Sequence, residues 1–193
     1  GNMTGALGIN RDISARVKNE ERLARLAHFD QLTELPNRYL LIDRLKQLIV
    51  HAERNNTQFA LLYIDLDKFK SINDEAGHAI GDLALKETAH RYAQVLRASD
   101  TVARIGGDEF IVVLSDIDSG DVLAEIAGKI QSLINQPIIV EGRRLNIGIS
   151  IGAAIYPNHS AKQDDLIHCA DIAMYVAKRD KKQNYVLYDE AQE

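Results

Sequence analysis

Two pairs of acidic residues follow apolar stretches of the sequence and could together hold a divalent cation. Asp65 and Asp67 come directly after the apolar run 59–64, which predicts a buried central strand. Because side chains alternate along a strand, the two carboxylates are expected on the same side. Such a pair suits a hard divalent cation, although acidic turn residues that end a strand give the same pattern.

The second acidic pair, Asp108 and Glu109, lies in a predicted hairpin. Runs 101–105 and 110–114 flank Gly106 and Gly107, and the two acids follow this glycine pair directly. Adjacent acids repel each other, and a cation would relieve the repulsion; an exposed turn with solvated acids is the alternative. If the two strands are neighbours, Asp65 and Asp108 can share a metal, as in two-metal phosphoryl-transfer sites.

The remaining elements predict how these acids are positioned. Apolar spacing predicts helices over 38–54, 82–98, 121–134 and 163–179, further strands over 145–155 and 185–188, and a turn over 30–37. This mixture predicts an α/β (α+β) fold with a central mixed β-sheet flanked by helices. Residues 5–14 read as a strand that leaves an upstream domain. The charged helix predicted from about 15 to 29 is either a solvated linker or a short coiled coil.

Composition excludes some classes of protein. The 193 residues carry a net charge of −5, which disfavours a nucleic-acid binder. Cys169 lies in an apolar helical stretch and is expected to pack in the core. No apolar run approaches the roughly 20 residues that span a bilayer. We therefore expect no membrane contact by this fragment and a cytoplasmic location, while a membrane segment elsewhere in a longer protein stays open.

The sequence resembles the GGDEF family in five ordered motifs between about residues 29 and 190. The motif that names the family is Gly106-Gly107-Asp108-Glu109-Phe110. The others are 30–38, then 65–74 followed by Gly77-His78 and Gly81-Asp82, then 150–152 and 170–178. The resemblance implies a palm-like nucleotidyl cyclase fold over 29–190 with the motif on a β-hairpin. Residues 1–28 are similar to the end of a PAS-like sensor domain and a signalling helix.

The resemblance also implies a site. Asp65, the Leu66 carbonyl and Asp108 would hold Mg²⁺ or Mn²⁺, two ions per site. The catalytic residues would be Asp108, Glu109 and Lys70, with the triphosphate over the turn 68–70. Asn73 and Asp82 would read guanine, because a carboxylate accepts from guanine N1–H and its amine. The other implied substrate contacts are Phe69, Lys178, Lys182 and His78. For His78, a role in capping or packing is an equal alternative.

The implied activity is that of a diguanylate cyclase, which condenses two GTP into cyclic di-GMP as a homodimer. The alternative is a silent module that binds GTP or cyclic di-GMP. Two departures from the family pattern are Glu34, where glycine is usual, and Lys182, where arginine is usual. Arg97 and Asp100 match the form and place of an inhibitory product site, although a bare Arg-x-x-Asp match is expected by chance and a helix-terminal turn is the alternative.

Overall fold

The computed structural model describes residues 19, 22–117, 119–180 and 183–192. The strand predicted over 5–14, the first part of the predicted linker helix and Lys182 lie outside these residues. Residues 22–28 are helical, as predicted, and lead into the turn that precedes the first long helix.

A five-stranded sheet is the centre of the fold. Its strands are β1 (Phe59–Asp67), β2 (Thr101–Gly106), β3 (Glu109–Leu114), β6 (Gly148–Tyr156) and β7 (Tyr185–Leu187), in the order β2-β3-β1-β6-β7. The pairs are antiparallel except for β6 with β7, which is parallel. The predicted mixed sheet is confirmed. A separate two-stranded hairpin consists of β4 (Ile138–Val140) and β5 (Arg143–Leu145).

Helices cover both faces of the sheet. The helices are α1 (Arg38–Asn55), α2 (Phe69–Ala76), α3 (His78–Val95), α4 (Gly120–Ile134) and α5 (Gln163–Arg179), and a 3-10 turn (Glu190–Gln192) closes the described chain. Because side chains alternate along β1, one set packs with α3 and α4 and the other with α1 and α5. The central strand is therefore buried on both faces, as its continuous apolar run predicts.

Close packing fixes α5 against the sheet. A Cβ on Gly152 of β6 would lie 2.0 Å from the backbone nitrogen of Met174 and 2.1 Å from the carbonyl oxygen of Ala170. Neither backbone atom can move without moving the helix, so only glycine permits this approach. The packing sets the position from which the last turn of α5 reaches the end of β1.

Several predicted boundaries were wrong for physical reasons. β1 continues three residues beyond the predicted end at 64, because β3 and β6 pair with it as far as Asp65 and Asp67. The predicted turn 68–70 instead begins α2, with Lys68 in the left-handed conformation before it. α3 begins at His78, earlier than 82, since Gly77 and not Gly81 separates the two helices. The single strand predicted over 145–155 is divided between β5 and β6.

Candidate active site

The carboxylate of Asp65 is almost fully buried near the end of the central strand. Asp65 faces Glu109 of β3 and Ser150 of β6 and is 6% exposed. Its Oδ1 accepts a 2.7 Å hydrogen bond from Nζ of Lys178 in the last turn of α5. Asp67, two residues along the strand, accepts a 2.8 Å hydrogen bond from Ser150 Oγ. Each of the two predicted strand-end carboxylates therefore has a protein partner.

Negative charge exceeds positive charge around this ion pair. Burial raises the pKa of Asp65, and the charges of Asp108 and Asp67 raise it further against the hydrogen bond from Lys178. Burial opposes the charged form of Lys178, yet its hydrogen bond to Asp65 and the nearby carboxylates raise its pKa overall. Both partners therefore shift toward their protonated forms, Asp65 mainly because it is buried and Lys178 because of its hydrogen bond to Asp65 and the nearby carboxylates.

The oxygen atoms at this corner fit a hard divalent cation. The backbone N–H of Leu66 donates to the Asp108 carbonyl oxygen at 3.2 Å, which joins the end of β1 to the hairpin turn. Carboxylate and carbonyl oxygens are the ligands that such cations prefer, and an added cation would offset the excess negative charge. Within the described ranges, no three acidic, His or Cys side chains form a complete cage.

Glu109 has a partner that the sequence analysis did not single out. Tyr63 is 8% exposed and lies near the Glu109 carboxylate, so that each group shifts the pKa of the other. Burial raises the pKa of Glu109, and the negative charges of Asp65 and Asp171 raise it further. Burial and the charge of Glu109 also raise the pKa of Tyr63, so the phenol remains a donor. Tyr63 and Asp65 are two residues apart on β1, so their side chains lie on the same face of the sheet as each other. This spacing is the sequence signal that could have indicated that Tyr63 lies near the acidic residues.

A cavity of about 320 Å³ lies beside the hairpin turn, between α2 and α3. It brings together six of the predicted site residues, which are Phe69, Lys70, Asn73, His78, Asp82 and Asp108. Asp74, Leu85, Arg104 and Gly107 complete its lining. Its volume lies within the range of about 300–1,000 Å³ that is usual for ligand sites. The residues predicted to read the base, Asn73 and Asp82, therefore line the same cavity as Asp108, a predicted metal ligand.

Gly81 makes room for Asn73 in this cavity. A Cβ at position 81 would lie 1.9 Å from Asn73 Oδ1 and 3.3 Å from Phe69 Cζ. The glycine sits inside α3, where it costs helix stability relative to alanine. The close approach of the Asn73 amide explains why glycine is present at position 81. The Gly81-Asp82 motif thus affects where the Asn73 side chain lies.

Arg104 connects the hairpin turn to the beginning of the domain, and the sequence analysis assigned it no role. Its Nε and Nη2 donate to the Gly107 carbonyl at 3.1 and 2.7 Å, and its Nη1 donates to Asp30 Oδ1 at 2.9 Å. The same Asp30 oxygen accepts from the backbone N–H and hydroxyl of Thr33. Burial opposes ionisation of Asp30, but these hydrogen bonds and the Arg104 charge lower its pKa overall. Asp30 lies in a family-like motif, but nothing in the sequence around Arg104 indicates that the two residues are in contact.

Lys178, one of the predicted phosphate contacts, is not among the described residues that line this cavity. It forms an ion pair with Asp65 on the α5 side of the sheet. Lys182 lies outside the described residues. The predicted phosphate turn at 68–70 is the N-terminus of the eight-residue helix α2, which has no side-chain cap at its first turn.

The Arg97–Asp100 turn borders a second and larger cavity. Asp100 Oδ2 accepts from the backbone N–H of Arg97 at 2.9 Å, and Oδ1 accepts from Ser115 N–H at 3.3 Å. The cavity measures about 490 Å³ and is lined by Asp100 but not by Arg97. Its other polar lining includes Arg44 and His51 of α1. The two predicted inhibitory residues are thus adjacent, with the aspartate facing this space.

The fold and site define an α/β domain whose central mixed sheet is flanked by helices and carries acidic residues at the end of its middle strand. Residues 27–184 match the sequence model of the family described as "Diguanylate cyclase, GGDEF domain". This chain belongs to the GGDEF-domain family. Among the described residues, no helix is both long and apolar enough to cross a membrane.

Relatives and solved structures agree with the family. The chain is 43% identical over 175 residues to the bifunctional diguanylate cyclase/cyclic di-GMP phosphodiesterase MucR, and 44% identical over 167 residues to the diguanylate cyclase TpbB, both from Pseudomonas aeruginosa. These matches cover 91% and 86% of the chain but only 25% and 38% of the relatives.

Among solved structures, the GGDEF domain of TpbB matches with a TM-score of 0.82 at 41% identity, covering 86% of this chain and 96% of that one. The coiled coil and GGDEF domain of DgcB from Caulobacter crescentus, solved with cyclic di-GMP, also gives 0.82, at 26% identity over 94% and 96% of the two chains.

Proposed function

We propose that this domain is a diguanylate cyclase that condenses two molecules of GTP into cyclic di-GMP and two of pyrophosphate. In each half-reaction, the 3′-hydroxyl of one nucleotide forms a bond to the α-phosphorus of the other, and the bond to pyrophosphate breaks. The observation that carries the proposal is the cavity whose lining runs from Asn73 and Asp82 to Asp108. It joins a base-reading end to the acidic corner at which phosphoryl transfer would occur.

Guanine is the base that the cavity suits. The Asp82 carboxylate accepts from N1–H and the exocyclic amine, a donor pair that adenine lacks. The Asn73 amide can donate to and accept from the same edge, and Phe69 offers an apolar surface to the base. A site that hydrogen-bonds a base edge rejects a base without those groups, because its own polar groups are then left unpaired.

The triphosphate would lie between two sources of positive charge. The backbone N–H groups at the start of α2 and the Lys70 ammonium lie on the cavity side. Lys178 approaches from α5 on the other face of the sheet. Lys182 has the charge but not the planar fork of arginine, so we expect it to bind phosphate as a point charge.

Asp65, the Leu66 carbonyl and Asp108 are the residues that would hold Mg²⁺ or Mn²⁺. When bound, the metal neutralises phosphate charge and lowers the pKa of the attacking hydroxyl. Glu109 faces Asp65 across the strand pair, and its raised pKa suits a carboxylate that accepts a proton from the 3′-hydroxyl. We propose that the nearby Tyr63 hydroxyl orients that carboxylate.

One cavity of this size accommodates one nucleotide, so the reaction needs two domains that face each other. We propose that the chain acts as a homodimer, in which residues 29–190 form the catalytic domain. The helix before this domain is the element that controls pairing. We also propose that cyclic di-GMP inhibits the enzyme at Arg97 and Asp100. The 490 Å³ cavity beside Asp100 supports this second proposal, because it lies apart from the residues that line the substrate cavity.

Incubation of the chain with GTP and Mg²⁺, followed by mass analysis of the product, tests the activity. Wild type and the control Asp43→Asn, an exposed position on α1, are expected to form cyclic di-GMP. Asp108→Asn, which keeps the side-chain volume and removes the charge, is expected to form none while retaining its circular dichroism spectrum. Binding of GTP by wild type without any product would favour the silent-module alternative.

A further inference from the structure

The contact between Lys178 and Asp65 places a protein cation on a carboxylate proposed to bind metal. Nζ of Lys178 lies 2.7 Å from Asp65 Oδ1. The Asp65 side chain is 8% exposed, whereas that of Lys178 is 43% exposed. The carboxylate is therefore fixed inside the fold, while the ammonium group lies at the end of a flexible stem with access to solvent.

Only the lysine side chain, and not its helix, can leave this contact easily. The α5 backbone lies against Gly152 without room for a Cβ, so the helix is fixed to the sheet. The four-carbon stem of lysine can rotate without disturbing that packing. Phosphate oxygens at the mouth of the site would offer the ammonium group an alternative anion.

An ammonium group and a divalent cation on one carboxylate oxygen repel each other and compete for the same lone pairs. We propose that Lys178 occupies the metal-binding carboxylate in the nucleotide-free enzyme and releases it when the triphosphate draws its ammonium group away. The inference rests on the proposed function. Its consequence is that the metal binds weakly to the enzyme alone and tightly together with nucleotide, so that the two bind cooperatively.

The same excess of negative charge explains why a lysine is needed there. Without nucleotide or metal, the Lys178 ammonium group lies 2.7 Å from Asp65 Oδ1, and Asp67 and Asp108 carry further carboxylates at this end of β1. The single positive charge of Lys178 partly offsets the negative charge of the carboxylates and so reduces their mutual repulsion.

Direct measurement of metal binding tests the proposal. Mn²⁺ is titrated into nucleotide-free protein, and free Mn²⁺ is followed by electron paramagnetic resonance. We expect Lys178→Met to bind Mn²⁺ about tenfold more tightly than wild type, which corresponds to about 1.4 kcal/mol. Lys178→Arg, which keeps the charge, is expected to bind as weakly as wild type.

Lys129→Met is the matched control for the loss of one positive charge. Lys129 also forms a 2.7 Å ion pair, with Glu125 on the exposed surface of α4, and is expected to leave Mn²⁺ binding unchanged. Circular dichroism establishes that all variants fold. Equal Mn²⁺ affinity of wild type and Lys178→Met, or equal gains in the Met and Arg variants, would overturn the proposal.

A second titration measures the coupling to nucleotide. Mn²⁺ affinity is compared with and without the non-reacting analogue guanosine 5′-(α,β-methylene)triphosphate. The analogue is expected to increase the affinity more in wild type than in Lys178→Met, because only wild type has a lysine to displace. An equal increase would overturn the proposal while leaving the cyclase activity intact. Failure of the proposed function itself would instead show as no cyclic di-GMP from wild type.

Discussion

Gly81→Ala is expected to impair guanine recognition with little loss of stability. The added Cβ would lie 1.9 Å from Asn73 Oδ1, so one of the two must move. The Asn73 amide is the end of a short side chain and can rotate away, which relieves the clash at small cost. The rotation removes Asn73 from the cavity position in which it is proposed to contact the base.

The size of the effect follows from the interaction that is lost. A neutral hydrogen bond contributes about 0.5–1.5 kcal/mol, so we expect kcat/KM for GTP to fall about 2- to 12-fold. Alanine also gains up to about 1 kcal/mol of helix propensity over glycine, which offsets part of the strain in the folded protein. The free energy of unfolding is therefore expected to change much less than the activity.

Gly128→Ala is the matched control. Gly128 lies inside α4, and a Cβ there meets no heavy atom within 4 Å. This variant is expected to be more stable by about 0.5–1 kcal/mol with unchanged kinetics. Urea unfolding and steady-state assays with GTP and ATP measure both quantities. If Gly81→Ala keeps the wild-type kcat/KM and base preference, Asn73 does not read guanine and the assignment is wrong.

Four further outcomes are expected. Asp82→Ser should lower the ratio of kcat/KM for GTP over ATP by at least about tenfold, and an unchanged ratio would move base recognition elsewhere. Specific activity should rise with protein concentration, more steeply after deletion of residues 1–28; a flat response in a chain shown to be monomeric refutes the dimer. Thr33→Val should destabilise the fold by about 1 kcal/mol at neutral pH. The folded-state pKa of Asp30 lies below its ordinary value of 3.8. The stability difference between wild type and Thr33→Val should therefore disappear as the pH falls below about 3.8 and Asp30 becomes protonated, which urea unfolding at several pH values measures. Arg97→Ala should bind cyclic di-GMP about ten- to a hundredfold more weakly and escape inhibition, and equal inhibition of both proteins argues against the site.

Strongly periodic segments were predictable from the sequence. The helix predicted over 163–179 agrees with α5, and the hairpin around Gly106 and Gly107 agrees with β2 and β3 within one residue at each end. Their patterns are local, because an apolar face or a glycine pair suffices to specify them. The mixed sheet also followed from the order of these elements.

Non-local contacts explain what the sequence could not show. Nothing in the residues around 81 indicates that a glycine there serves Asn73, so Gly81 suggested the start of a helix and not its interior. Arg104 has no neighbour in sequence that predicts its contacts with Asp30, 74 residues away. The pairing of Lys178 with Asp65 joins residues 113 apart and depends on how α5 packs on β6. The candidate residues were identifiable from the motifs, but not their partners.

The central position of β1 explains why the site depends on such distant parts of the chain. Its neighbour β3 brings Glu109 opposite Asp65, and its other neighbour β6 brings Ser150 to Asp67. A slip of one residue in either pairing would turn these side chains to the opposite face of the sheet. The apolar residues of β1 are buried on both faces, so the packing that stabilises the fold also prevents that slip. The acids can therefore remain close together despite their repulsion, because the register that holds them is fixed by the hydrophobic core and not by the site.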